Sequence, residues 1–223
     1  MNEFLYGVLP YIALTIFVGG TIVRYTVSER NWTTKSSEFL SKGDLKWANP
    51  IFHLGLLMAF GGHVIGVLVP KYMTEAAGVN EHLYHMIALG GGIPAGILFL
   101  GGFLLLMKRR FAGSDLMKVN TSGTDRILYL VLFLTIITGC MGTLHIGGDF
   151  TGFNYRDTIS PWFRSLLMLQ PDISTMESLP FIFRCHMLMW MILAILFPFT
   201  RLVHCLSFPF EYLCRSHIIY RKK

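Results

Sequence analysis

Charge is what this sequence has least of. Asp, Glu, Lys and Arg together supply 14% of its 223 residues, where a soluble domain carries about a quarter. So few charges cannot cover a water-facing surface, and 53% of the chain is hydrophobic instead. Cysteine is also scarce: Cys140, Cys185, Cys205 and Cys214 show no CxxC spacing. The absence of CxxCH excludes covalent c-type haem, and no disulfide framework is indicated. Cys140, Cys185 and Cys205 lie in or beside apolar runs and are expected to pack as small hydrophobes. The start, Met1-Asn2-Glu3, lacks the basic stretch and small-residue cleavage site of a secretory signal, so the first apolar segment is expected to be retained. No internal repeat, low-complexity tract or second domain is visible, and residues 1–223 read as one membrane domain with a tail at about 207–223.

The formal charge is +6, but nucleic-acid binding needs a basic face on a soluble fold. Here Lys and Arg sit in short clusters between long apolar runs. They report membrane topology, and the expected surroundings are lipid rather than nucleic acid.

What the chain does have is long hydrophobic stretches. A bilayer core of ~30 Å needs about 20 apolar residues at 1.5 Å each. Five stretches qualify, approximately 4–24, 48–69, 86–107, 127–147 and 180–206, each closed by turn formers or charges. The expected fold is an all-α membrane bundle of five helices, with the termini on opposite sides. Sorting Lys and Arg by side puts fifteen in the first loop, the third loop and the C-terminal end, against Lys71, Arg156, Arg164 and Arg184 opposite. The positive-inside rule then places the N-terminus outside and the C-terminus in the cytoplasm. The outer loop at roughly 148–179 carries Phe150, Phe153, Tyr155, Pro161, Trp162 and Phe163, which suggests a segment lying on the interface. The charged, amphipathic first loop and tail could dock a soluble partner or lie on lipid.

Polar residues inside a span are expensive and usually functional. His53 and His63 lie ten residues apart on span two, ~15 Å along a helix with a net rotation of about 80°. His186 and His204 lie eighteen apart on span five, five whole turns and ~27 Å. Antiparallel spans bring His63 near His186 on the outer side and His53 near His204 on the inner side. Paired histidines on facing helices at two depths are what two bis-histidine haems require. The unequal separations call for a bend in span five, and Pro198 permits one. Zinc is disfavoured, because its ligands converge at one point.

Gly55, Gly61, Gly62 and Gly66 on span two would let a flat ring or another backbone approach, and Gly62 with Gly66 also forms a GxxxG helix-packing pattern. Arg24, Arg109, Arg110 and Arg201, near the cytoplasmic ends of spans, could pair with haem propionates.

The segments NPIFHLGLLMAFGGHVIGVLVP (49–70) and FIFRCHMLMWMILAILFPFTRLVHCLSFPFEYLCR (181–215), with PYIALTIFVGGTIVRY (10–25), closely resemble the gamma subunit of respiratory nitrate reductases. The resemblance covers essentially the whole chain. It implies a dihaem cytochrome b that oxidises quinol, with menaquinol the expected form, near the outer face of a prokaryotic plasma membrane. Electrons would pass to an iron–sulfur beta subunit and a molybdenum alpha subunit on the cytoplasmic side, and nitrate chemistry would belong to those partners. Two non-covalent haem b groups are implied, the distal one on His63 and His186, the proximal one on His53 and His204. A lysine implicated at the quinol site of better-known members is missing from the matching segment, Glu81 to Met86. The resemblance therefore leaves His82 and His85, beside Gly62 and His63, as candidate quinol-site residues. Another quinone-linked cytochrome b, of hydrogenase, heterodisulfide or sulfite type, is the alternative, and a haem-free transporter a more distant one.

Overall fold

The computed structural model describes residues 2–27, 32, 45–112, 121–147 and 153–206. Five helices among them are long and apolar enough to cross a membrane, Glu3–Val27, Leu45–Leu68, Glu81–Phe111, Gly123–Gly147 and Phe181–Phe199, here called spans one to five. No strand occurs among the described residues. The tail from 207 and most of the first loop, read above as possible docking segments, lie outside the described residues.

Hydropathy located the spans, and local chemistry set their ends. Span three begins at Glu81 rather than near 86 because the Asn80 side chain accepts from the Leu83 backbone N–H at 2.8 Å, an N-cap ahead of the apolar run. Its last turn carries Lys108, Arg109 and Arg110, cations that suit the negative end of a helix. Span four opens on a reciprocal cap. The Ser122 hydroxyl accepts from the Asp125 N–H at 3.2 Å, and the Asp125 carboxylate accepts from the Ser122 N–H at 3.1 Å, the geometry of a capping box.

The spans pack in an arc, two on three, three on four, four on five, five on one. The seam between spans two and three is the tightest. A Cβ on Gly55 would stand 2.3 Å from the Phe99 nitrogen, and one on Gly102 would stand 2.4 Å from the Phe52 nitrogen. The two backbones therefore touch through Gly55 and Gly102. Gly62 and Gly66 do not make the helix-packing seam their spacing suggests. Gly62 faces open space, while Gly66 lies under the hydroxyls of Tyr155 and Tyr84.

One end of the bundle is closed by residues 153–179. The helix Ile159–Leu167, in the segment whose aromatic content suggested an interfacial position, folds onto the span ends. Trp162 is 3% exposed, and its indole N–H donates to the Tyr6 carbonyl at 2.9 Å. Ser160 and Arg164 donate to the carbonyls of Gly66 and Val67. Arg156 is buried under the Tyr84 ring, 3.7 Å from its centre, and pairs with Glu81 at 3.2 Å. These polar contacts tie the segment to the span ends.

Span five departs from a continuous helix over 180–206. The α-helix stops at Leu196, followed by 3-10 turns at Phe197–Phe199 and Arg201–Leu206, with Thr200 extended between them. Pro198 has no N–H to continue the ladder. The reckoning of five whole turns between His186 and His204 therefore fails.

Candidate functional site

His63 ends the α-helical part of span two, before a π-helical turn at Val64–Leu68. His186 lies in the second turn of span five. Their ring centres are 5.9 Å apart. The Nδ1 of His63 lies 2.7 Å from the Ala59 carbonyl, which can only accept, so Nδ1 carries the proton. For His186, Nδ1 lies 3.1 Å from the Thr138 hydroxyl, and Trp190 Nε1–H donates to Nε2 at 3.1 Å. An accepting Nε2 again puts the proton on Nδ1. A Cβ on Gly139 would come within 2.9 Å of His186 Cε1, so glycine at 139 makes room for the ring.

The second pair sits at the other end of the same two spans. His53 and His204 have ring centres 6.4 Å apart. His53 Nδ1 donates to the Asn49 carbonyl at 2.9 Å and His204 Nδ1 to the Arg201 carbonyl at 2.6 Å. All four rings thus carry the proton on Nδ1 and the lone pair on Nε2; in His186 that lone pair accepts the Trp190 N–H, a bond that has to open before a metal could bind there. Metal-binding histidines are oriented in the same way, through a hydrogen bond from the distant nitrogen.

The spacing suits one metal ion per pair. An imidazole nitrogen binds a first-row metal at ~2.0 Å, and with the ring centre ~1 Å behind it, rings on opposite sides of one ion stand ~6 Å apart. Both pairs meet that distance. No group of three or more His, Cys, Asp or Glu able to hold a metal occurs among the described residues, so each level offers two ligands. Spans two and five are not packed neighbours in the arc, and Gly61 and Gly62 face open space beside His63. Two histidines at each level, with Trp190 packed against the rings of His63 and His186, are a donor set that would suit a metal held in a planar cofactor.

The remaining candidates are placed as follows. Arg24 donates through Nη1 to the carbonyls of Pro198 and Thr200, at 2.6 and 2.7 Å. Arg201 and Arg110 converge on Asp125, and Arg109 is buried nearby in sequence at 7% exposure. These arginines hold protein groups at the end of the bundle that carries His53 and His204. His82 is exposed and His85 half-buried in the first turns of span three, at the end that carries His63 and His186. His85 Nδ1 lies 3.1 Å from the Glu81 carbonyl. Close by, Tyr155 is pushed above its ordinary value near 10, by burial first and by its bond to Tyr84 second.

Thr138, Gly139, Trp190 and Asp125 escaped the sequence reading. An acid at the start of an apolar span, three residues after a serine, was the one legible signal among them.

A family model described as nitrate reductase gamma subunit matches residues 2–223. The nitrate reductase gamma chain of Bacillus subtilis is 43% identical over 222 residues, covering 100% of this chain and 99% of the relative. The respiratory nitrate reductase 1 gamma chain of Escherichia coli K12 is 33% identical over 226 residues, covering 100% and 98%. The nitrate reductase-like protein NarX of Mycobacterium tuberculosis is 41% identical over 225 residues, covering 100% of this chain but 34% of that protein.

Proposed function

This chain belongs to the nitrate reductase gamma subunit family, and we propose that within such a complex it is the dihaem cytochrome b subunit that oxidises quinol. Five apolar helices and these relatives make it a multi-pass protein of the prokaryotic plasma membrane. The observation that carries the proposal is the pair of pairs: His63 with His186 and His53 with His204, ring centres 5.9 and 6.4 Å apart.

His63 and His186 would hold the distal haem b, His53 and His204 the proximal one. A bis-histidine haem supplies reversible one-electron transfer at an iron with no open coordination position. The chain itself does the rest. Backbone carbonyls of Ala59, Asn49 and Arg201 keep three Nδ1 protons in place and so present Nε2 as the ligand atom. Arg24, Arg109, Arg110 and Arg201 are the cations at the proximal end, where the propionates would lie.

Quinol, expected as menaquinol, is oxidised at the outer end, where Gly62, His63, His82 and His85 lie. His82 or His85 would hydrogen-bond the quinol and take its proton. The electrons go to an iron–sulfur beta subunit and a molybdenum alpha subunit on the cytoplasmic side, where the fifteen basic residues of the loops and C-terminal end are placed by the positive-inside rule. Releasing protons outside and delivering electrons inside separates charge, worth ~2.3 kcal/mol per charge per 100 mV.

The test uses membranes containing the whole complex. A menaquinol analogue should reduce b-type absorption bands, and nitrate should reoxidise them. Bands that are absent, or that ignore both reagents, contradict the assignment. A His82→Ala/His85→Ala double variant should oxidise quinol at least ~100-fold more slowly, the scale of general acid–base catalysis. An unchanged rate removes both histidines from the quinol site.

A further inference from the structure

We propose that Arg24 and Asp125 are positioning residues for His204, holding from spans one and four a ligand that its own helix no longer holds. The inference rests on the assignment of His204 to the proximal haem.

The two histidine pairs are built differently. His53, His63 and His186 stand on α-helix, whose hydrogen-bond ladder fixes the direction of each side chain. His204 stands eight residues past the last α-helical residue, Leu196, in a 3-10 segment reached through the extended Thr200. Such turns have poorer hydrogen-bond geometry and rarely persist. A ligand must nevertheless be held within ~0.5 Å and 10–20° of its working geometry. The constraint has to come from elsewhere.

It comes from two flanking spans. Arg24, in the last turn of span one, donates to the Pro198 and Thr200 carbonyls, 2.6 and 2.7 Å away. Span one is pressed against the break: a Cβ on Gly20 would stand 2.8 Å from Pro198 Cγ, and the Phe17 and Phe197 rings lie 4.8 Å apart. From the other side, Asp125 accepts from Arg201 Nε at 2.8 Å and Nη2 at 2.5 Å, a bidentate pair with fixed geometry. Asp125 is itself pinned by the capping box with Ser122 and is 5% exposed. The Arg201 carbonyl in turn accepts the Nδ1 proton of His204 at 2.6 Å. The link runs from span four through Asp125 and Arg201 to the ligand ring.

A propionate-binding role would make different demands. Asp125 is an anion and cannot attract a propionate, and a lysine at 24 would keep the charge but replace the planar guanidinium, whose Nη1 reaches both carbonyls, with a shorter side chain ending in a tetrahedral ammonium. The experiment therefore uses Asp125→Asn, Asp125→Glu and Arg24→Lys in the purified complex, with His204→Ala as reference. Two quantities are read for each haem: its low-spin electron paramagnetic resonance signal, and the rate at which apomyoglobin extracts it. Asp125→Asn and Arg24→Lys should each shift the proximal signal and speed proximal loss about 10-fold or more, the usual cost of removing a ligand's outer partner. The distal haem of the same molecule should be unmoved, and Asp125→Glu should recover part of the loss. A proximal haem of wild-type signal and retention in either variant overturns the role of that residue. Equal loss of both haems also overturns it, since that is general unfolding. Persistence of the proximal signal in His204→Ala defeats the ligand assignment itself, an outcome the other variants cannot produce.

Discussion

At the scale of single residues, the cost of placing histidine in lipid is met locally. An imidazole in hydrocarbon needs its N–H satisfied, and each of the four finds an acceptor within 3.1 Å. His186 differs from the other three in using a hydroxyl. Thr138 donates its own proton to the Leu134 carbonyl at 2.7 Å, leaving its oxygen to accept from His186. Gly139, next in sequence, provides the space. Gly139→Ala should push the His186 ring aside, so that the distal b-haem signal shifts or weakens while the proximal one stays. Separately resolved haem spectra read this directly, and an unshifted distal signal would mean the ring is not confined there. Tyr155 gives a pH dependence of known sign. Its pKa is raised in the folded chain, by burial and then by Tyr84, so its contribution is complete below pH ~10 and falls as the unfolded chain ionises above it. Thermal unfolding in detergent should decline less steeply above that pH in Tyr155→Phe than in the wild type.

At the scale of elements, proline breaks are matched by donors from distant parts of the chain. Span two ends at Leu68 with Val69 extended ahead of Pro70, and the Gly66 carbonyl in its last turn accepts the Ser160 hydroxyl, at 2.8 Å and 1% exposure. Ser160→Ala leaves that carbonyl buried and unmet, a loss of about 1–3 kcal/mol measurable as reduced stability in denaturant. Gly55→Leu should be worse, since the side chain would meet the backbone of span three at Phe99; failure to accumulate in membranes is the expected result. The positions of all five spans were legible in the hydropathy, because length and polarity are local properties. The proximity of His63 to His186 and of His53 to His204 was legible too, from antiparallel direction and depth. The end of helix five at Leu196 was legible only as a permitted bend. Contacts such as Arg24 with Pro198, 174 residues apart, were not legible at all, since nothing in either local sequence names the other. The partner of Trp162 was hidden for a related reason: the Tyr6 carbonyl that its indole N–H meets lies 156 residues away in sequence.

At the scale of the whole molecule, the arc of spans leaves two histidine pairs at different depths between spans that do not pack on each other. Direct packing joins every neighbouring pair from two through three, four and five to one, and Gly55 and Gly102 draw spans two and three to backbone contact. Spans two and five are left facing each other across the histidines. One end of the bundle carries Trp162 and its helix, the other Arg24, Asp125 and Arg201. The account stands on two haems, each owned by one histidine pair. Potentiometric titration of b-type absorption in the purified complex, with haem counted per gamma chain, tests this most directly. It predicts two haems with separable midpoints in the wild type, loss of one component in His186→Ala, and loss of the other in His204→Ala. One haem per chain in the wild type, or both components persisting in either variant, would contradict it.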